Sequence, residues 1–316
     1  MSKLNERKVA VVGCGFVGSA SAFALMESGL FSEMVLIDVN KDKAEGEALD
    51  ISHGLPFAKP MTIYAGDYKD AEDAAVVVVT AGAGQKPGET RLDLVKKNVA
   101  IFNSIIPEIT KYNKEGILLI VANPVDILTS VAAKLSGFPE NRVFGSGTVL
   151  DTARFKYLLG EHLDVDSRSV HAFIIGEHGD SEIAAWSSAN VSGIPINDFC
   201  EMRGHFEHDK SMKRIADDVK NSAYEIIEKK GATYYGIAMS VRRICEAIIR
   251  DEKSILPISS IQHDTESGID GVALSMPAIV GRNGVEGLVP IRLDDEEKVA
   301  LKASADTLKE VLAEVL

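Results

Sequence analysis

Three short segments of the chain carry polar side chains of the kinds that a buried catalytic site needs. They are residues 85–91 on a glycine-flanked stretch, residues 151–154 at a predicted helix start, and residues 176–180 around His178. A histidine of ordinary pKa can give or take a proton at neutral pH, as hydride transfer at a hydroxyl-bearing carbon requires. A carboxylate such as Asp151 can fix the tautomer of the imidazole and stabilise its charged form. The two residues are 27 positions apart, a spacing that by itself is more typical of structural roles.

The sequence GCGFVG at residues 13–18 is a second candidate site. A GxGxxG pattern alone is weak, but this one follows a predicted strand, opens a predicted helix and is followed by Asp38 at the end of the next strand. Gly13 allows a tight turn, Gly15 lets the backbone approach a pyrophosphate, and Gly18 lets helix and strand pack closely. Amide groups at the helix start favour an anion. The predicted cofactor-binding residues here are Gly13, Gly15, Phe16, Val17, Gly18 and Asp38.

Asp38 also indicates which dinucleotide is bound. Its carboxylate can accept hydrogen bonds from both ribose hydroxyls and repels a 2′-phosphate, so NAD is favoured over NADP. The alternative is that the glycines only form a turn and that Asp38 caps a loop. Cys14 is interpreted as a small packing residue.

The elements that must position these residues alternate regularly in the first half of the chain. Apolar strands are predicted at residues 8–12, 34–39, 62–65, 74–80 and 117–122, and helices at about 16–28, 41–53 and 92–113. Strands that alternate with helices predict right-handed βαβ units and a parallel sheet. We therefore predict an α/β protein whose residues 1–145 form a doubly wound Rossmann domain that binds NAD.

The second half, residues 146–316, has a different pattern and is predicted to be a mixed α+β domain for substrate binding and catalysis. Helices are expected near residues 152–162, 208–230, 237–250 and 294–316. Residues 169–175 and 182–187 are expected to form antiparallel strands, and several short strands are expected between residues 254 and 292.

Composition excludes several classes of function. The 316 residues are 46% hydrophobic and 26% charged, with a net charge of −13, which opposes binding to nucleic acids and anionic membranes. The longest apolar runs are too short to span a bilayer, and the N-terminus lacks a secretory pattern, so a cytoplasmic location is expected. Three scattered cysteines form no metal pattern and are expected to be reduced thiols.

Longer motifs occur along nearly the whole chain, and in them the sequence resembles the L-lactate and L-malate dehydrogenases. The motifs are GCGFVG, AGAGQKPGETRLDLVKKN (81–98), ANPVDILT (122–129), GSGTVLDTARF (145–155), IIGEHGDSE (174–182) and KGATYYGIA (230–238). The resemblance implies that His178 is the acid/base catalyst and that Asp151 orients it. It also implies that Arg154 binds the substrate carboxylate and that Arg91, on a mobile loop, polarises the carbonyl. Asn123 is implied to contact nicotinamide ribose and substrate, in a turn whose peptide bond is often cis, and Thr233 to line the pocket.

Charge counting separates the two main substrates of this family. Oxaloacetate has a second carboxylate that needs a second cation, supplied in the malate enzymes by an arginine where this sequence has neutral Gln85. Pyruvate and L-lactate are therefore the expected substrates, although the neighbouring Lys86 keeps oxaloacetate open. A non-catalytic NAD-binding protein of the same fold, and a metal-dependent, NAD-requiring glycosidase, are the rival interpretations of the sequence. No metal site is expected.

The resemblance also implies regulation and assembly. Some bacterial members bind fructose 1,6-bisphosphate at an allosteric site formed across subunits by a basic residue and a histidine, and the corresponding positions here are Lys156 and His171. Lysine attracts phosphate but lacks the planar fork of arginine. The chain begins shortly before its first strand, without a long N-terminal arm, and a homotetramer or homodimer is expected. Such an enzyme would serve glycolysis and fermentation.

Overall fold

The computed structural model describes residues 4–84, 88–264 and 267–315. In its first half, the elements are β1 (Asn5–Val12), α1 (Phe16–Ser28), β2 (Glu33–Ile37), α2 (Lys41–Ser52), β3 (Thr62–Ala65), β4 (Ala74–Val79), α3 (Arg91–Tyr112), β5 (Ile117–Ile120), α4 (Val125–Ser136) and β6 (Val143–Gly145). These strands are parallel and follow the order β3-β2-β1-β4-β5-β6. This order is that of a doubly wound fold, the architecture that the sequence predicted.

The parallel sheet is covered by helices on both faces. All six residues of β4 are buried. Val77 and Val79 pack in a core that also contains side chains of α3 and α4, whereas Val76 and Val78 pack on the other face with side chains of α1 and α2. Because successive strand residues point to opposite faces, a continuous valine run is what a strand between two helical layers requires.

The second half of the chain contributes five α-helices and eight strands within the described residues. They are α5 (Val149–Leu163), β7 (Val170–His171), β8 (Ile174–Ile175), β9 (Ile183–Ala184), β10 (Asn190–Val191), β11 (Ile194–Pro195), α6 (Ile196–Met202), α7 (His208–Lys230), α8 (Tyr235–Ile249), β12 (Ser254–Asp264), β13 (Ile269–Gly281), β14 (Gly284–Leu288) and α9 (Asp295–Val315). The pairs β8–β9, β10–β7 and β10–β11 are antiparallel, which agrees with a mixed α+β second half.

The strands after residue 254 differ from the sequence prediction. Instead of several short strands, β12 and β13 form one long antiparallel hairpin, and β14 pairs with its outer edge. Ser259 of β12 pairs with Gly145 of β6, so that the hairpin extends the parallel sheet to nine strands. The sheet therefore continues past residue 145. Local pattern could not predict this, because it depends on pairing between residues more than a hundred positions apart.

No helix in the described part of the chain is both long enough and apolar enough to cross a bilayer.

Candidate active site

His178 and Asp151 are in direct contact. His178 lies in the loop between β8 and β9, and Asp151 lies in the first turn of α5. Ring nitrogen Nδ1 of His178 is 2.5 Å from Oδ2 of Asp151, a short contact between a ring nitrogen and a carboxylate that can form a charge-assisted hydrogen bond. The contact occupies Nδ1 and leaves Nε2 as the ring nitrogen that can serve a substrate.

The environment of this pair favours its charged form. Burial alone would lower the pKa of His178, but the adjacent Asp151 carboxylate outweighs burial, and the pKa is raised to about 9. Burial alone would raise the pKa of Asp151, but the charges of His178 and Arg154 lower it. At neutral pH the pair is therefore an imidazolium beside a carboxylate, which is the state that a proton donor needs.

Arg154 and a cavity complete this arrangement. Arg154 follows Asp151 by one helical turn and donates from Nη1 to Oδ1 of Asp151 at 2.9 Å. A cavity of about 300 Å³ opens beside the three side chains, a volume suited to a small ligand. Its lining includes residues of α3, α5 and α7, among them Arg91 and Tyr224. A guanidinium at this place can hold a carboxylate in a bidentate manner.

Arg91 lies at the cavity but is held by carboxylates. It is the first residue of α3, where Thr90 caps the helix and exchanges hydrogen bonds with Asp93. Its guanidinium pairs with Glu177 through Nη2, and with Asp180 through Nη1 at 3.2 Å. The side chain of Arg91 remains 55% exposed, so it can exchange these partners for a ligand.

Asn123 also lines the cavity. It follows β5, and the peptide bond between Asn123 and Pro124 is cis. Asn123 thus lies between the cavity and the carboxyl end of the parallel sheet, where ligands of doubly wound folds bind.

The glycine motif forms the floor of a second groove, of about 510 Å³. Gly13 has a φ of +99°, and a Cβ there would lie 2.6 Å from the backbone nitrogen of Ala81. A Cβ on Gly18 would lie 1.9 Å from the carbonyl oxygen of Gly13, whereas one on Gly15 would meet no atom within 4 Å. Gly13 and Gly18 therefore allow the tight turn and the close packing, and Gly15 faces open space where a pyrophosphate can approach.

Asp38 and the start of α1 complete the groove. Asp38 accepts hydrogen bonds from the backbone amides of Cys14, at 2.6 Å, and Asn40, at 2.8 Å, which fixes its carboxylate beside the glycine turn. Helix α1 begins at Phe16 and has no side-chain cap. The backbone amides of its first residues, Phe16 and Val17, are therefore available to an anion. These residues fit NAD, whose ribose hydroxyls would bind Asp38 and whose pyrophosphate would bind the helix start.

Comparison with known protein families shows to which family the chain belongs. Residues 7–145 match the model for the lactate/malate dehydrogenase NAD binding domain, and residues 148–316 match the model for the alpha/beta C-terminal domain of the same family. The chain belongs to the lactate/malate dehydrogenase family. The predicted family, fold class and NAD cofactor are thereby confirmed.

Several members of the lactate/malate dehydrogenase family are similar to this chain over almost their full length. The chain is 58% identical over 306 residues to L-lactate dehydrogenase 1 of Clostridium acetobutylicum, covering 96% of this chain and 97% of that protein. It is 58% identical over 306 residues to L-lactate dehydrogenase of Acetivibrio thermocellus, covering 97% and 96%. A crystal structure of the minor L-lactate dehydrogenase of Enterococcus mundtii has a TM-score of 0.94 at 45% identity and 98% coverage of both chains.

Sequence reasoning missed Asp126, which lies within the ANPVDILT motif of the family. Oδ2 of Asp126 accepts the backbone N–H of His178 at 2.8 Å, and Oδ1 accepts the hydroxyl of Ser259 at 2.5 Å. Burial raises the pKa of Asp126 to about 6. Its position beside Asn123 and Pro124 was the available signal, but its partner His178 lies 52 residues away in the sequence.

Asn98 was missed as well. Its side chain accepts the amide N–H of Ala83 at 2.7 Å and donates to the carbonyl of Asn123 at 2.7 Å. It therefore joins the loop after β4 to the turn that carries Asn123. The sequence places Asn98 at the end of the longest motif, without indicating that it bridges two loops.

Three predicted residues in the described part of the chain, Thr233, Lys156 and His171, are not among those that line the cavity, and only Thr233 was expected there. Gln85, with its neighbour Lys86, lies outside the described residues. Thr233 lies half-buried between α7 and α8 and is not among the described residues that line the cavity. Lys156 is half-buried on α5, and His171 is exposed on β7, which packs against α5.

Proposed function

We propose that the protein is an NAD-dependent L-lactate dehydrogenase that interconverts pyruvate and L-lactate. The observation that carries this proposal is the 2.5 Å contact between His178 and Asp151, beside a cavity that also presents Arg154. Relatives named L-lactate dehydrogenase that share more than half of their residues with this chain support it further.

The chain supplies binding and proton transfer for this reaction. NADH, when bound, supplies the hydride that reaches the carbonyl carbon of pyruvate. Arg154 holds the carboxylate of pyruvate, and His178 donates the proton from Nε2 to the carbonyl oxygen, which becomes the hydroxyl of lactate. Asp151 stays ionised and stabilises the imidazolium until the proton leaves. Lactate oxidation reverses these steps, with neutral His178 accepting the proton.

Arg91 is proposed to polarise the carbonyl in the transition state. A guanidinium aimed at the oxygen where negative charge develops lowers the barrier. This role requires Arg91 to leave Glu177 and Asp180, its partners in the structure. Asn123 is proposed to contact both the substrate and the nicotinamide ribose, and Thr233 to line the pocket when the site closes.

The groove beside the glycine turn is proposed as the NAD site. Gly13, Gly15 and Gly18 provide the turn, and the amides of Phe16 and Val17 bind the pyrophosphate. Asp38 binds the ribose hydroxyls and repels a 2′-phosphate. Residues 1–145 are proposed as the NAD-binding domain and residues 146–316 as the catalytic domain.

The deciding experiment compares initial rates of NADH oxidation with pyruvate and with oxaloacetate, in the presence of EDTA. We expect a large preference for pyruvate, and His178→Gln should abolish the activity. A preference for oxaloacetate would indicate a malate dehydrogenase, and no oxidation of either keto acid would favour a non-catalytic NAD-binding protein. Loss of activity with EDTA would indicate a metal requirement that this mechanism does not contain.

Gln85 is proposed to set the preference for a substrate with one carboxylate. Gln85→Arg should shift relative kcat/KM toward oxaloacetate, because a second guanidinium offsets a second carboxylate. Lys86→Gln is the matched control, since it removes the neighbouring cation and should leave the preference for pyruvate. Unchanged relative kcat/KM in Gln85→Arg would contradict this assignment.

Lys156 and His171 are proposed to bind fructose 1,6-bisphosphate as an activator. They lie on adjacent elements, and burial lowers the pKa of Lys156 without an acidic partner contributing, so its ammonium would gain from a phosphate. The half-saturating concentration of pyruvate should fall when the bisphosphate is added, and this effect should be lost in Lys156→Gln. No change in the wild-type protein would rule out activation.

A homotetramer or homodimer in the cytoplasm is proposed for the working enzyme, with roles in glycolysis and fermentation. Helices α1 and α8 pack side by side and expose Phe16, Phe23, Tyr235 and Met239, each more than half accessible. Apolar surface of this kind is typical of an interface. Light scattering that gave a stable monomer at working concentration would contradict the proposed assembly.

A further inference from the structure

Glu182 is a titratable group of the active-site cavity for which the mechanism above has no use. It is the last residue of the loop between β8 and β9 that also carries His178. Its side chain lines the same cavity as His178 and Arg154. A carboxylate oxygen of Glu182, one of Asp151 and a ring nitrogen of His178 all lie within 4.8 Å of one another. A carboxyl group in this position requires an explanation, because unpaired carboxylates are costly to bury.

No described residue forms a hydrogen bond or a close ion pair with the Glu182 side chain. Asp151, only a few ångströms away, already shares its oxygens between His178 and Arg154. Ionisation of Glu182 therefore brings a second negative charge next to the imidazole without a dedicated counter-ion. A charge at that distance favours the protonated imidazole.

We propose that Glu182 is a positioning residue that acts through His178, by keeping the proton on the imidazole at alkaline pH. The inference rests on the proposed role of His178 as the acid/base group. Below neutrality Glu182 carries its own proton, and Asp151 alone holds the imidazolium. When Glu182 ionises, two carboxylates face one imidazolium, and His178 remains a proton donor to higher pH than Asp151 alone would allow.

The order in which the two groups lose their protons agrees with this geometry. Burial, reinforced by the charge of Asp151, raises the pKa of Glu182 to about 8. The pKa of His178 is raised to about 9, mainly by Asp151 against the opposing effect of burial, with Glu182 contributing in the same direction. Glu182 therefore ionises before His178 loses its proton, which is the order that the proposal requires.

Other charged groups around the cavity modify this effect without replacing it. Asp126, behind His178, also favours the imidazolium. Lys220 and Arg154 favour ionisation of Glu182. The charged side chains that line the cavity come from α3, α5, α7 and the loop of His178, and they are Arg91, Asp151, Arg154, Asp180 and Lys220. Arg91 and Asp180 are paired with each other.

The test is the pH dependence of kcat/KM for pyruvate reduction in wild type, Glu182→Gln and Glu182→Asp. In Glu182→Gln the alkaline midpoint should fall by about 0.5 to 1 pH unit, since one of two neighbouring charges is removed. The ratio of kcat/KM at about pH 9.5 to that at pH 7 should fall about 3- to 10-fold. Glu182→Asp, which keeps a carboxylate, should retain most of the wild-type midpoint.

A matched control and a measurement without substrate distinguish the possible failures. Glu228→Gln removes the same charge from an exposed position on α7 and should leave the midpoint unchanged. NMR titration of the His178 ring in the full-length, ligand-free protein, assigned with His178→Asn, should show the same downward shift in Glu182→Gln. An unmoved ring titration, or an equal shift in Glu228→Gln, would overturn the inference. If His178 proved dispensable for pyruvate reduction, the proposed mechanism would fail while this titration still tested Glu182.

Discussion

The guanidinium of Arg91 is paired with the carboxylate of Glu177, a side chain that is only 7% exposed. Glu177 is fixed in turn, because its backbone N–H donates to Ser304 at 2.9 Å and its carboxylate accepts the hydroxyl of Ser181 at 2.5 Å. An immobile anion thus holds a mobile cation at the entrance of the cavity. Arg91 can reach a substrate only by breaking this pair.

Weakening the ion pair between Arg91 and Glu177 should favour the position of Arg91 in which it contacts the substrate. We expect Glu177→Gln to raise kcat for pyruvate reduction about 2- to 5-fold with little change in KM, because partly exposed ion pairs are worth about 0.5 to 1 kcal/mol and Arg91 is proposed to act in the transition state. Steady-state kinetics at pH 7 measure this effect. Glu89→Gln, which changes a carboxylate before the same helix, is the control, and an unchanged or lower kcat in Glu177→Gln would show that the pair does not hold Arg91 back from the substrate.

Removing Arg91 itself should affect turnover more than binding. Arg91→Gln should reduce kcat about 100- to 1,000-fold, the usual loss when one donor to a developing oxyanion is removed. KM should change much less, since Arg154 is the proposed partner of the carboxylate. A matching increase in KM with unchanged kcat would instead make Arg91 a ground-state binding residue.

The charge of Asp151 should set the pH range of the reaction. The raised pKa of His178, about 9, predicts that pyruvate reduction persists up to about pH 9 and falls above it, because the proton donor is then lost. In Asp151→Asn the alkaline midpoint should move toward the ordinary histidine value of about 6.5, and kcat/KM should fall by roughly 1,000-fold or more. A pH profile that kept its wild-type midpoint would contradict the assigned role.

Asp126 should matter for both stability and turnover. Asp126→Ala leaves the amide of His178 and the hydroxyl of Ser259 without an acceptor, which should cost about 2–4 kcal/mol of unfolding free energy. It should also lower kcat, since the backbone of His178 loses its anchor. Chemical denaturation and steady-state kinetics measure the two effects, and Asp126→Asn, which retains one acceptor, should lose less stability.

A pair of histidines whose rings are in contact should make the protein sensitive to acid. The rings of His162 and His205 lie 4.2 Å apart. Burial lowers the pKa of His162 from its ordinary value of 6.5, and His205 and Arg214 lower it further. The unfolded chain therefore binds a proton at His162 more readily than the native one. The stability that this site contributes is present above the ordinary histidine pKa and is lost as the pH falls from there through the lowered native pKa.

Thermal melting between pH 5 and pH 8 tests this histidine pair. His162→Phe keeps an aromatic ring beside His205 but does not titrate, so its melting temperature should fall less on acidification than that of the wild type. His53→Gln, at an exposed position, should follow the wild-type curve. Equal acid sensitivity in His162→Phe and wild type would show that the pair does not act this way.

Local sequence predicted the parts of this molecule that local physics determines. The positive φ of Gly13, the close packing of Gly18 and the place of Asp38 follow from residue types at short spacing, and α7 begins and ends where it was predicted. Helix starts, glycine turns and apolar runs each depend on a short stretch of neighbouring residues. The NAD-binding half was therefore largely predictable.

Contacts between distant segments were not predictable in the same way. The contact of His178 with Asp151 was inferred from family resemblance, since a spacing of 27 residues specifies no distance. The partners of Arg91, and the anchoring of His178 by Asp126, depend on how loops meet in three dimensions. The long β12–β13 hairpin was missed because its residues gain strand pairing from each other, from β6, from β14 and from Gly176, which no short window of sequence contains.

Ser259 contacts two residues, Gly145 and Asp126, that precede it by more than a hundred positions in the sequence. It pairs with Gly145 at the junction of β6 and β12, and its hydroxyl binds Asp126, which holds the backbone of His178. During synthesis, a nascent chain that has passed His178 but has not yet exposed residue 259 outside the ribosome lacks one of the supports of its catalytic histidine. Reductase activity should therefore arise late in translation, after the NAD-binding half has had time to fold, so that few unfinished chains consume NADH.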